Sequence, residues 1–143
     1  MIYITIRSWG KVKKDFILKG ESEYVKRLTP FAKVRFEEIS KSEDKYLNDI
    51  DTLDSIWLLD EKGVELTSVS LSKEIKKVKE GGTKKLFILI GPPDGFSDEI
   101  KKRVKIKFSL SKLTFPFEFV RLIIAEQLYR GISILEQHPY HRG

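Results

Sequence analysis

With 143 residues, 41% of them apolar, the chain can build one core burying roughly 70% of the surface its unfolded form exposes, which argues against a second independent core. Twenty-seven Lys and Arg against twenty-one Asp and Glu leave a formal charge of +6, which suits a polyanionic partner and equally suits an ordinary solvated basic surface. Cysteine is absent, so disulfides, thiol catalysis and thiolate metal sites are excluded, while no compartment follows.

Ile2, Ile4 and Ile6 alternate with Tyr3, Thr5 and Arg7 as the two faces of a first strand, closed by Ser8-Trp9-Gly10. This start lacks the apolar core and cleavage site of a signal peptide, and no apolar run approaches the ~18 residues of a membrane span, so the expectation is a cytoplasmic protein. From Asp15 to Leu28 the spacing turns helical, and Pro30 marks the stop. Val34, Phe36 and Ile39 suit a second strand, and the charged stretch from Lys45 to Leu53 suits a weak helix. Ser55 to Asp60 is nearly all apolar, as in a strand covered on both faces, with Lys62-Gly63 offering a turn after it.

Leu71, Ile75 and Val78 build a helix that Ser68 or Ser70 can cap and Gly81-Gly82 closes. Leu86 to Ile90 reads as a central strand. Ser97, followed by Asp98 and Glu99, reads as a helix start, and Lys105 to Leu110 alternates like a further strand. Strands alternating with helices predict an α/β layer with a largely parallel sheet, as one domain over residues 1–143. The last helix, Phe117 to Glu136, is apolar nearly all round and must be buried nearly all round. Its second face meets a copy of itself in a two-fold dimer, or else the helix is the central core helix of a monomer.

Chemistry concentrates in the last third. Gly91 follows a buried strand directly and lets a ligand or another backbone approach the carboxyl end, where open α/β sheets bind. A plain strand-to-helix turn explains the same residues, and neither a Walker loop nor a dinucleotide fingerprint is present. Ser109 to Pro116 carries three hydroxyls and one lysine before the apolar helix. Thr114 and Pro116 could simply begin that helix, but if this loop faces the Gly91 loop across neighbouring strands, their main-chain groups could bracket a purine. His138 and His141 are the only histidines, and with Glu136 as the nearest further ligand they make a poor zinc set, so no metal is expected. Pro139 and Tyr140 beside them suit either a frayed end or a segment docking over a base. Lys101, Lys102, Arg103, Lys105 and Lys107 form the densest basic run; it serves as a solvated face or as phosphate contacts.

Ser-Leu-Ser-Lys-Leu-Thr-Phe-Pro from Ser109, Glu126-Gln127-Leu128-Tyr129-Arg130 and the terminal Pro139-Tyr140-His141-Arg142 resemble the ribosomal large-subunit RNA pseudouridine N3-methyltransferases. These are S-adenosylmethionine enzymes of the knotted SPOUT class, and the resemblance spans nearly the whole chain. It also takes in Glu23 to Leu28 and Leu58-Leu59-Asp60. The resemblance implies a C-terminal trefoil knot, a homodimer with cofactor sites near the subunit interface, and as substrate a pseudouridine of 23S rRNA in the assembled ribosome. It implies S-adenosylmethionine contacts from Leu59, Gly91, Leu110, Ser111, Lys112, Leu113, Thr114 and Phe115. Two departures from the family pattern stand out: Pro92 replaces a usual second glycine and removes an amide donor, and Phe117 replaces a histidine. A SPOUT methyltransferase acting on tRNA and a cofactor-free rRNA-binding dimer are the rival readings.

Methyl transfer to N3 requires loss of the N3 proton, and His141 is the tail group suited to accept it near neutral pH, with Tyr140 and Arg142 as stacking or phosphate-holding neighbours. His141→Ala is expected to slow ribosome methylation across about pH 6 to 9, and an unchanged rate over that range would remove His141 from the chemistry.

Overall fold

The computed structural model describes residues 1–40 and 42–140. Five strands, β1 (Ile2–Trp9), β2 (Ala32–Ile39), β3 (Ser55–Glu65), β4 (Lys85–Ile90) and β5 (Ile106–Ser109), form one sheet in the order β2-β1-β4-β3-β5. Every pairing is parallel. Parallel strands need both faces covered, which explains the continuous apolar runs of β3 and β4.

One face carries Ile2, Ile4, Ile6, Leu86 and Ile88 and is covered by α1 (Asp15–Leu28), α2 (Ser68–Glu80) and α4 (Phe117–Leu135). The other face carries Leu58, Phe87 and Leu89 beneath a 3-10 turn at Glu43–Tyr46 and α3 (Asp98–Arg103). Among the described residues no helix is long and apolar enough to cross a membrane.

Three local expectations change. The weak helix expected from Lys45 to Leu53 is the shorter turn Glu43–Tyr46, whose Tyr46 is fully buried and anchors it. Thr67, one residue before Ser68 and three before Ser70, caps α2: its hydroxyl accepts from the Ser70 N–H while the Ser70 hydroxyl accepts from the Thr67 N–H. Pro116 occupies the N-cap of α4 without any side-chain hydrogen bond, so Thr114 does not cap that helix. By contrast, the Ser97 cap on α3 forms as expected, its hydroxyl accepting from the Ile100 N–H.

Two buried arginines fasten the sheet. Arg7, 2% exposed, donates to Glu37, Asp49 and the Tyr46 carbonyl and lies 4.7 Å over the Phe87 ring. On the opposite face Arg121 of α4, 3% exposed, donates to both carboxylate oxygens of Glu21 on α1, to Ser8 at the end of β1 and to Glu38 on β2. Removing one partner of a buried pair costs more than the pair itself contributes, because the remaining charge is stranded. Arg121→Met is therefore expected to lose ~3–5 kcal/mol in denaturant unfolding, and adding Glu21→Leu should recover much of the loss.

Glu118, in the first turn of α4, reaches back to the β1–α1 loop. The Lys13 N–H, the Lys14 ammonium and the Lys14 N–H all bond to its carboxylate and hold its pKa down at about 2. The folded state thus binds fewer protons than the unfolded one, and this contribution is complete above the ordinary pKa of 4.5 and disappears as pH falls toward 2. The stability gap between the wild type and Glu118→Gln should accordingly narrow across that acid window in thermal unfolding.

Candidate active site

A cavity of about 230 Å³ opens at the carboxyl ends of the central strands, under α4. Its walls include Leu59 of β3, Leu66 and Thr67 before α2, Ser109 and Leu110 after β5, and Gln127 of α4. A larger depression of about 660 Å³ lies around the amino ends of β1, β2 and β4. In open α/β sheets ligands bind beyond the carboxyl ends, so the smaller cavity is the candidate.

The sheet makes this cavity by an irregularity that the sequence did not announce. β3 does not stop at Asp60, and Lys62-Gly63 is not its closing turn. Leu59 and Val64 both register with Phe108 of β5, so residues 60–63 bulge from the ladder before pairing resumes at Glu65↔Ser109. Gly63 passes so close to β5 that a Cβ there would sit 2.7 Å from the carbonyl carbons of Lys107 and Phe108. Both neighbours are backbone and cannot swing aside. Gly63 thereby places Leu59 and Leu110 on one cavity wall.

Of the eight positions expected to contact a cofactor, Leu59 and Leu110 line the cavity. Ser111, Lys112, Leu113, Thr114 and Phe115 continue outward from it, with Leu113 72% exposed. The segment is shaped from within: the Ser109 hydroxyl donates to the Ser111 carbonyl and the Leu113 N–H donates to the Ser111 hydroxyl. Gly91 lies at the same sheet edge, but β3 separates β4 from β5, so its loop and the Ser109–Pro116 loop flank a strand rather than adjoin. The space its missing side chain leaves is filled by the Phe96 ring, 2.8 Å from an ideal Cβ position. The carbonyl of Ile90, just before it, accepts a hydrogen bond from the buried Tyr46 phenol, whose pKa burial pushes up so that it stays a donor.

Gln127 is, like Leu66 and Thr67, a cavity residue to which the sequence assigned no role, although it stood inside a noted motif. Its carbonyl accepts from the Ser68 hydroxyl and its amide donates to Glu126, so both ends of the side chain are oriented. An amphipathic-helix analysis could not single it out on a helix apolar nearly all round.

Tyr140 sits elsewhere. Its ring lies 4.5 Å from that of Tyr129, its hydroxyl is 3.4 Å from that of Tyr24 on α1, and the Arg130 guanidinium lies 5.1 Å from its centroid. Burial and the hydrogen bond to Tyr24 push the phenol up to about 12. This cluster is on the α1 side of α4, whereas Gln127 faces α2, so Tyr140 does not border its own chain's cavity. His141 and Arg142 lie outside the described residues. Among the described residues no three His, Asp or Glu side chains gather as a metal set.

A family model described as "Predicted SPOUT methyltransferase" matches residues 2–141. The chain belongs to this family. A relative from Kosmotoga olearia, named ribosomal RNA large subunit methyltransferase H, is 36% identical over 98% of this chain and 97% of its own. A second bearing that name, from Christiangramia forsetii, is 40% identical over 92% of this chain and 94% of its own. Among solved structures, a probable methylase family protein from Haemophilus influenzae Rd KW20 superposes with a TM-score of 0.57 at 11% identity, covering 96% of this chain and 67% of that one, a likeness of fold alone.

Within this SPOUT domain, Gly63→Ala is expected to cost about 1–3 kcal/mol through overpacking against β5 and to distort the cavity. Unfolding midpoints together with methyl-donor binding would register both effects, and a variant as stable as the wild type would show that β3 and β5 can separate there.

Proposed function

We propose that the chain is an S-adenosylmethionine-dependent methyltransferase that modifies N3 of a pseudouridine in large-subunit (23S) rRNA, working as a homodimer on the assembled ribosome. The observation that carries this reading is the cavity walled by Leu59, Leu110 and Gln127 beside the exposed 111–115 segment. The names of the near full-length relatives supply the substrate class.

The walls fit such a cofactor. Leu59, Leu66, Leu71 and Leu110 offer apolar surfaces to a flat base, while Thr67, Ser109 and Gln127 offer polar edges. A volume of about 230 Å³ accepts the base end, and the open side toward residues 111–115 leaves room for the remainder. When bound, S-adenosylmethionine supplies an electrophilic methyl group on a sulfonium. Residues 110–115, with the main chain at Gly91, would hold and aim that group, so that much of the rate would come from alignment of the substrate nitrogen with it. The N3 proton goes to the tail, where His141 is the proposed acceptor beside Tyr140 and Arg142.

Because Tyr140 lies on the α1 side, a tail that serves the cavity has to reach one on another subunit. The exposed surface of α1 and α4 favours such pairing: Phe16 is 55% exposed and Phe119 37%, with ring centroids 5.7 Å apart. The trefoil knot belongs to the same reading, supported by family membership.

S-adenosylmethionine at 100 times its dissociation constant should raise stability by ~2.7 kcal/mol in a thermal shift. Leu110→Trp, which fills the cavity, should abolish that shift without lowering the midpoint of the protein alone. Transfer of labelled methyl to ribosomes lacking the modification, with little to naked rRNA or tRNA, is the expected result. Labelling of tRNA instead would overturn the substrate assignment, and absence of any thermal shift would overturn the cofactor.

A further inference from the structure

The depression at the amino ends of the strands has no part in the site above. The row built on Tyr3 stands on the opposite sheet face from α4, and the hollow wraps the edge strand β2 as far as Val25 and Thr29 of α1. Its floor is set by register. Tyr3 of β1 pairs with Lys33 of β2 on one side and Lys85 of β4 on the other, so the three side chains stand in one row on one face. In the next row Thr5 stands between Arg35 and Phe87. All of these residues line the depression.

Two features distinguish this row from an ordinary solvated surface. Tyr3 is 46% exposed in the middle of a sheet face whose next residues, Thr5 and Phe87, are each 7% exposed. No other ring stacks on it among the described residues. Lys33 and Lys85 are exposed and have no ion-pair partner among the described residues, unlike Arg35, which is 3.1 Å from Glu37. The nearby acids are largely spoken for: Arg7 holds Glu37 and Asp49. Asp54 is the exception. One of its oxygens accepts from the Asp51 N–H, and the other is buried without a partner among the described residues.

We propose that this row is a second RNA-docking surface, in which a base stacks on Tyr3 while the flanking phosphates contact Lys33 and Lys85. Two lysines two strands apart, about 9.6 Å between their backbones, straddle the ring and suit a polyanion carrying flat faces. The hollow form of the floor disfavours a planar lipid surface, which could not reach Tyr3. The inference rests on the rRNA reading for its partner and deepens it: the enzyme would grip ribosomal RNA on the sheet face opposite the one that α4 covers.

The test compares full-length Lys33→Glu/Lys85→Glu with the wild type in ribosome binding across a salt series, with Lys76→Glu/Lys77→Glu on α2 as a charge-matched control and Tyr3→Leu as a variant that keeps the packing but loses the stacking face. The charge reversal should weaken ribosome binding at least tenfold and reduce the salt slope by about 1 per lysine, with an unchanged S-adenosylmethionine thermal shift. Tyr3→Leu should weaken binding without changing the slope. Equal losses in the control, binding to anionic vesicles in place of ribosomes, or an unaltered slope would overturn the proposal. A wild type that methylates ribosomes alongside variants that bind them normally would sink the docking surface alone. Lost ribosome binding in the variants, with no cofactor shift in any protein, would sink the methyl-transfer reading alone.

Discussion

A guanidinium enclosed by protein cannot move without abandoning its acids, and the β1–β2 side of this sheet's carboxyl edge is held by two of them. Arg7 and Ser8 are adjacent on β1 and point to opposite faces, as are Glu37 and Glu38 on β2. Arg7 takes Glu37 on the α3 side, and Arg121, descending from α4, takes Ser8 and Glu38 on the other. The edge strand β2 is thus clamped from above and below at one level. Arg121 also grips Glu21, so α1 and α4 cannot slide along each other without stranding charge.

That clamp fixes the frame in which the cavity is built, and the finer placement comes from main chain. Tyr46 pins the end of β4 through the Ile90 carbonyl, Gly63 allows β3 and β5 to touch, and Ser111 shapes the outgoing loop with its hydroxyl and carbonyl. A site organised this way presents few side chains whose chemistry is conspicuous. It also explains why a helix as apolar as α4 can carry the oriented amide of Gln127 on one flank and the Tyr129–Tyr140 stack on another.

Much of the fold was legible because each signal was local. The alternation of Ile2, Ile4 and Ile6, the apolar run of β4 and the Ser97 cap each report their own segment's burial or hydrogen bonding, and the structure agrees. What failed depended on distant partners. The bulge at residues 60–63 exists because of β5, more than forty residues onward, and nothing within Lys62-Gly63 separates a bulge from a turn. The same holds at the site. Leu59 and Leu110 line the cavity, whereas the space beside Gly91, where the missing Cβ at a strand end suggested a close approach by a ligand or another backbone, is taken by the ring of Phe96. Strand order, which inserts β3 between the two loops, is a property of the sheet that no single loop encodes.

The contact at Gly63 also limits how this architecture can drift. With two main chains touching, an inserted or deleted residue between Leu59 and Glu65 would shift Leu66 and Thr67 off the pocket and spoil the α2 cap together. Differences in chain length among descendants of this fold must therefore be absorbed elsewhere, as at the exposed Gly82, where nothing packs, and that is a place where an epitope or reporter could be spliced in with little harm.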